Sequence, residues 1–227
     1  MEGKPLSTKQ TDLARSAIRK VDPSLEKEFI CLMQFLALNP DYRGKIKGKN
    51  PPSFGTKEYF EKTASKFSSG RVIPKPTNSG KKTDPLLMDL FGKMNQLPNR
   101  AVQQATKHHG DFMVIENVVG KMLEKYLASK LEPIGWVWCS GDFVNKVDFI
   151  HKTSNGSFEI LQIKNKDVTE NSSSAAGRAG VPKWGRLKGK QAKPDWDNFP
   201  NEEAKKVLSE EDFLTFGAAI GEEWFKE

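Results

Sequence analysis

Cysteine is nearly absent: Cys31 and Cys139 are the only two in 227 residues. Two thiols can build neither a disulfide framework nor a four-cysteine zinc site, and each lies within an apolar segment, so both are expected to be buried thiols. Long hydrophobic runs are missing as well. No window approaches eighteen uninterrupted apolar residues, and Met1–Gln10 lacks the apolar centre of a signal peptide. Neither a membrane span nor secretion is expected, which places the protein in the cytoplasm. Histidine is scarce, and the adjacent pair His108-His109 points two ways on a helix with no Cys/His set to complete a metal site. That pair is expected at the surface. No internal repeat is visible.

What is present fits a folded domain. Hydrophobic residues make up 37% and charged residues 29%, near the globular averages, and the length suffices for one large domain or a domain with a helical subdomain. The net charge of +7 is unevenly spread. Residues 41–82 hold eleven Lys or Arg against three acids, a net of +8; residues 164–193 hold eight against two, a net of +6. The stretch 201–227 holds three basic and eight acidic residues, a net of −5. Two concentrated basic segments suit a phosphate-facing surface, the alternative being scattered solvated lysines.

Periodicity predicts two amphipathic helices at the start of the chain. Asp22-Pro23 supplies a cap and a first-turn proline, Leu25, Phe29, Leu32 and Leu36 share one face, and Asn39-Pro40 ends the run. From Asp41 to Lys82, Pro51-Pro52, Ser68-Ser69-Gly70 and Pro74-Lys75-Pro76 break the pattern, leaving loops around one short helix at Thr56–Phe67. Such a basic segment can wrap a polyanion, or it is a partly disordered insertion. Helices are expected over Asp84–Leu97 and Asp111–Leu131, the latter with a broad apolar face through Phe112, Ile115, Val119, Met122 and Tyr126. Glu132-Pro133 stops it. Strands follow at Gly135–Cys139, Phe143–Ile150 and Phe158–Ile163, with Trp136, Trp138 and Phe143 read as core, and acidic helices return at Glu202–Leu208 and Glu210–Lys226.

The last two strands flank His151–Ser157, which contains the turn pair Asn155-Gly156, so they should pair antiparallel. Period-two alternation then sets Phe158, Ile160, Gln162 and Lys164 on one face and Glu159, Leu161 and Ile163 on the other. Asp148 sits at the open end of the hairpin, where it can meet Gln162 and Lys164. The Asp148 carboxylate and the Gln162 amide carbonyl are hard oxygen donors suited to magnesium, which could neutralise phosphate charge and acidify a water. A lysine one pleat away can orient or help deprotonate that water and stabilise developing charge.

The residues Val147-Asp148-Phe149 and Gln162-Ile163-Lys164 resemble the PD-(D/E)XK nuclease core, with Val147 in place of proline and Gln162 in place of a carboxylate. The second departure removes a negative charge from the metal site. In that core the preceding helix often adds a carboxylate; Glu124, in Gly120-Lys121-Met122-Leu123-Glu124, has the fitting spacing, and Glu116 two turns earlier is the alternative. Ordinary exposed helix charges are the plain reading of both.

The segment after Lys164 is small, polar and glycine-rich. Asn165, Lys166, Asn171, Ser172, Ser173, Ser174, Arg178, Lys183, Trp184 and Arg186 are candidate DNA contacts there, since amides and arginine can read base edges and lysines can meet phosphates. A flexible Ser/Gly linker is the competing reading. Trp184 and Trp196 can stack on bases or pack at a dimer interface. Gln162–Asn165, Thr169–Ser174, Lys183-Trp184 and Asp195-Trp196-Asp197 together resemble the catalytic half of type II restriction endonucleases of the SinI kind, small enzymes that cleave GGWCC.

That resemblance implies an α+β fold with an α/β/α core, a central mixed sheet flanked by helices and a helical N-terminal region. Residues 1–82 would form a helical and basic region for DNA wrapping or dimerisation, and 83–227 the nuclease core with a recognition loop at 165–193. It further implies double-stranded DNA as substrate, magnesium as cofactor, a homodimer matching a palindromic site, and a cognate DNA methyltransferase in the same system. A structure-selective or repair nuclease on the same core, and a noncatalytic DNA-binding module, are the alternative readings.

Overall fold

The computed structural model describes residues 3–77, 85–166 and 180–226. Helices α1 (Thr8–Val21) and α2 (Glu26–Leu38) open the chain. Ser7 and Gln10 form a reciprocal capping box on α1. The Asp22 side chain accepts from the Ser24 N–H across the Pro23–Leu25 turn that feeds α2. Helix α3 (Lys57–Ser69) is capped by Thr56, as its sequence predicts, and α4 (Pro85–Asn95) leads into α5 (Asn99–Leu131). At 33 residues α5 is about 50 Å long. It begins twelve residues before the expected start at Asp111.

Strands β1 (Trp136–Trp138), β2 (Phe149–Lys152), β3 (Phe158–Lys166), β4 (Lys183–Lys188) and β5 (Lys193–Pro194) form one sheet in that order. All neighbours are antiparallel except β3 and β4, which run parallel, so the sheet is mixed. Helices α6 (Glu202–Lys205) and α7 (Glu210–Phe225), capped by Asn201 and Ser209, close the chain.

The β2–β3 hairpin is the predicted one, with a five-residue turn. The Thr153 N–H donates to Ser157 O, Asn155 Oδ1 accepts from the Ser157 N–H, and Gly156 takes φ +85°, where a side chain would be strained. β2 itself differs from expectation. Residues 143–148 are not a strand: Phe143 and Val147 are buried because the segment packs on the N-terminal region, through the Gly44 N–H on Phe143 O and a single bridge between Arg43 and Val144. Their alternation records burial against a loop. β4 and β5 fall where a loop was expected.

Alternation along the strands divides the core into two layers. Val137, Ile150, Phe158 and Ile160 face α1, α2 and α3, packing with Phe29, Leu36 and Phe67. Trp138, Phe149, Leu161 and Ile163 face α5 and α7, packing with Leu123, Tyr126, Leu127 and Phe213. Helices therefore cover both faces, the α+β arrangement expected. Among the described residues no helix is long and apolar enough to cross a membrane. Cys139 is buried and Cys31 is half-buried, neither bonded to the other.

Candidate active site

Continuing the β2–β3 register by one pair sets Asp148 opposite Gln162. The Asp148 N–H donates to Leu161 O at 2.9 Å, its carbonyl accepts from the Cys139 N–H at 2.8 Å, and its Oδ2 accepts from the Ile163 N–H at 2.7 Å. The backbone of Asp148 is thus fixed on both sides, and its carboxylate is held by one backbone N–H. Gln162, Lys164 and Asp148 lie on the same sheet face as Ile160 and Ile150, so period-two geometry brings the three together.

Asp148 and Gln162 line a cavity of about 400 Å³ where the sheet ends, together with Lys121, Glu124, Cys139 and Asp142; Lys164 is not part of its lining, and its charge acts on Asp148 from beside it. Glu124 enters from the buried half of α5. Its Oε2 accepts from Trp138 Nε1 and from Lys121 Nζ, both at 3.0 Å, and Lys121 also lies 4.5 Å over the Trp138 ring. Both bonds fall on one oxygen and spare the other. Asp142, at the same cavity, is ion-paired to Lys66, which holds its carboxyl below the usual range. The wall also needs close backbone approach: a Cβ on Gly70 would lie 2.6 Å from the Gly141 nitrogen.

The electrostatics are unusual. Burial, and then the neighbouring Glu124 charge, push Asp148 up to about 6, against the opposing pull of the Ile163 N–H, Lys164 and Lys121. Burial holds the Cys139 thiol well above its ordinary value, so it offers no thiolate. Gln162 is only 4% exposed, and its Oε1 is buried without a hydrogen-bond partner. A buried carbonyl oxygen left unpaired costs about 1–3 kcal/mol unless something satisfies it. Among the described residues no three His, Cys, Asp or Glu side chains cluster as metal ligands. Besides Asp142, which is paired with Lys66, and Asn145, the cavity offers the carboxylates of Asp148 and Glu124 and the amide of Gln162 as oxygen donors. Oxygen donors of this kind fit a hard, oxygen-seeking divalent cation.

The other expected residues divide. Glu116 is exposed on α5 and does not line the cavity, whereas Glu124 does. Lys166 and Lys183 are exposed and Asn165 is half-buried, all at the pairing of β3 with β4. Trp184 and Arg186 point inward, which removes them from the DNA-facing set. Trp184 is 3% exposed, its Nε1 donating to Asp195 O and its ring packed on Trp196 and Phe199. Arg186 is spent on Glu210 at 2.6 Å and on Asn165 Oδ1 at 3.0 Å. Asn171, Ser172, Ser173, Ser174 and Arg178 lie outside the described residues. The roles of Trp138 and Lys121 were not legible beforehand; the (i, i+3) spacing of Lys121 and Glu124 was the one available signal.

Of the basic segment 41–82, Arg43 donates to Leu36 O and Ala37 O, and Arg71 pairs with Glu132. These are structural cations. Lys45, Lys47 and Lys49 are exposed around the buried Ile46, and the Lys47 charge acts on Asp142 at the cavity.

A sequence profile of the SinI restriction endonuclease family matches residues 10–220. The chain belongs to that family. It is 36% identical over 209 residues to the type II restriction enzyme SinI of Salmonella infantis, covering 90% of this chain and 91% of that protein. It is 37% identical, with the same coverage, to the type II restriction enzyme Eco47I of Escherichia coli. Within a SinI-family chain, the cavity at the open end of the hairpin is the place where hard oxygen donors and lysines converge.

Proposed function

We propose that this SinI-family protein is a type II restriction endonuclease that hydrolyses phosphodiester bonds in double-stranded DNA with magnesium. It acts in the cytoplasm as a homodimer on a short palindromic site, GGWCC on the family resemblance, alongside a cognate DNA methyltransferase. The observation that carries the magnesium reading is the unsatisfied Gln162 oxygen in a cavity shared with Asp148 and Glu124.

In this reading Asp148 and Gln162 hold the cation and Glu124 completes the set. Magnesium, when bound, supplies charge neutralisation at the phosphate and acidifies a water. Asp148 is held in place by the Ile163 backbone N–H, and the indole Nε1–H of Trp138 fixes Glu124 through one oxygen. Lys164, one pleat beyond Gln162, sets an ammonium beside the reacting phosphate, where it orients the attacking water and stabilises developing negative charge. Lys45, Lys47 and Lys49 on one flank, and Lys166 and Lys183 on the other, meet the backbone of the duplex. Residues 165–193, with Asn171–Ser174 and Arg178, read the base edges.

Incubation of plasmid with the protein and magnesium, and then with EDTA, tests this. Discrete fragments that vanish with EDTA are expected, and sequencing their ends gives the site. Smears or cutting confined to branched DNA would point to a structure-selective nuclease, and a mobility shift without cleavage to a binding module.

A further inference from the structure

Helix α4 and the first half of α5 carry apolar side chains that the protein does not cover. Leu87, Leu90 and Met94 on α4 and Phe112, Met113 and Ile115 on α5 are between 46% and 78% exposed. α4 buries no residue at all, and Val102 is the one buried side chain of α5 before Val118. The two helices meet closely at Gly92, where a Cβ would lie 3.0 Å from Val102 Cγ2, and the Leu97 N–H returns to Gly92 O at 2.9 Å. The pair is thus a hairpin arm whose own contact consumes little of its apolar surface.

At roughly 200 Å² for a fully exposed large apolar side chain, these six expose on the order of 700 Å². Summed over both helices, that approaches the about 800 Å² per partner that a stable dimer buries. Outside the described residues, the internal segments 78–84 and 167–179 hold Val168 as their one large aliphatic side chain. Charge narrows the occupant further. Residues 85–117 carry Asp89, Asp111 and Glu116 against Lys93, Arg100 and Lys107, a net of zero in a chain of +7. A DNA-facing or anionic-membrane-facing arm would be basic. An arm that meets its own copy needs charges of both signs, because in a two-fold contact each side must complement itself.

We infer that the α4–α5 arm is the surface through which two copies of this chain associate. Phe112 and Glu124 lie on one helix, about 18 Å apart along its axis, so pairing the arms fixes the two cavities relative to each other. The inference gives the homodimer of the proposed function its surface, and rests on that reading only for the two-fold arrangement.

Sedimentation equilibrium on the full chain, without DNA or metal, tests it independently of cleavage. The protein is expected at twice its 25.5 kDa chain mass at micromolar concentration. Leu90→Glu with Phe112→Glu should raise the dimer dissociation constant by at least about 100-fold, since each dimer would bury four unpaired charges. Its circular dichroism and melting temperature as a monomer should be retained, because both positions are exposed. Leu214→Glu, at an exposed position on α7, should leave the dimer intact. A monomeric parent protein, or a double variant that remains dimeric, would overturn the inference, as would dissociation by Leu214→Glu alone. Failure of cleavage by a protein that dimerises through the arm would count against the proposed function and not against this surface.

Discussion

Asp148→Asn should stabilise the protein without metal while destroying its metal site. The wild-type carboxyl rises from 3.8 to about 6 because it is buried and faces Glu124. A shift of that size corresponds to roughly 3 kcal/mol between the charged and neutral forms, which partial exposure and screening reduce to about 1–2 kcal/mol. Because the folded value is raised, Asp148 favours folding fully below pH 3.8, and that contribution is lost as pH climbs through about 6. Asparagine keeps an oxygen for the Ile163 N–H and never ionises. The variant should therefore melt about 2–8 °C higher than wild type at pH 8 in EDTA, with the gap falling to roughly half by about pH 5. Magnesium should reverse the order, since only wild type gains binding energy. Thermal melts from pH 5 to 8, with EDTA and with magnesium, measure all three effects. A variant no more stable than wild type at pH 8 in EDTA would refute the account of Asp148 as a buried carboxyl that is costly to ionise in the folded protein.

Four further outcomes can be measured. Lys164→Ala should cut the single-turnover cleavage rate by about 10³-fold or more while DNA affinity, read by mobility shift, stays within a few-fold; retained cutting would remove Lys164 from the site. Gln162→Glu should tighten magnesium binding about tenfold by calorimetry through its added charge, and unchanged affinity would mean that position 162 does not face the ion. Trp184→Ala should cost about 3–5 kcal/mol in urea unfolding, as for any large core side chain; a loss of DNA affinity at unchanged stability would return Trp184 to the interface. Arg178→Ala should weaken binding to cognate DNA by about 1–3 kcal/mol if it reads a guanine, and equal affinity would exclude it.

Legibility in the sequence followed the locality of the forces. α1 and α3 are capped by Ser7 and Thr56, Asp22 caps the turn that leads into α2, and all three helices carry local apolar periodicity, so they could be read directly. The first third of α5 could not. A helix that buries only Val102 before Val118 leaves no stripe to detect, and Pro98 was its one start signal. β4 was hidden because its pairing with β3 is parallel and distant in sequence, and because Gly185 and its lysines look like loop. The hairpin was legible through Asn155-Gly156 and alternation, and with it the placing of Asp148, Gln162 and Lys164 on one face. The attachment of Glu124 to Trp138 was not, since a strand tryptophan gives no sign of where its N–H points.

Glutamine at position 162 is the departure that most needs a physical reason, and the cavity supplies one. Asp148 and Glu124 already repel strongly enough to raise Asp148, while Lys121 and Lys164 are the cations that oppose them there. A third carboxylate at a position 4% exposed would add one more buried charge beside Asp148 and Glu124 whenever the ion is absent, with little water to screen it. The amide leaves one buried acceptor unsatisfied, roughly 1–3 kcal/mol, well below the several kcal/mol of an uncompensated buried charge. What is given up is charge toward the cation, so affinity for magnesium should be modest. Occupancy then depends more steeply on the DNA phosphate, which brings the missing negative charge with the substrate.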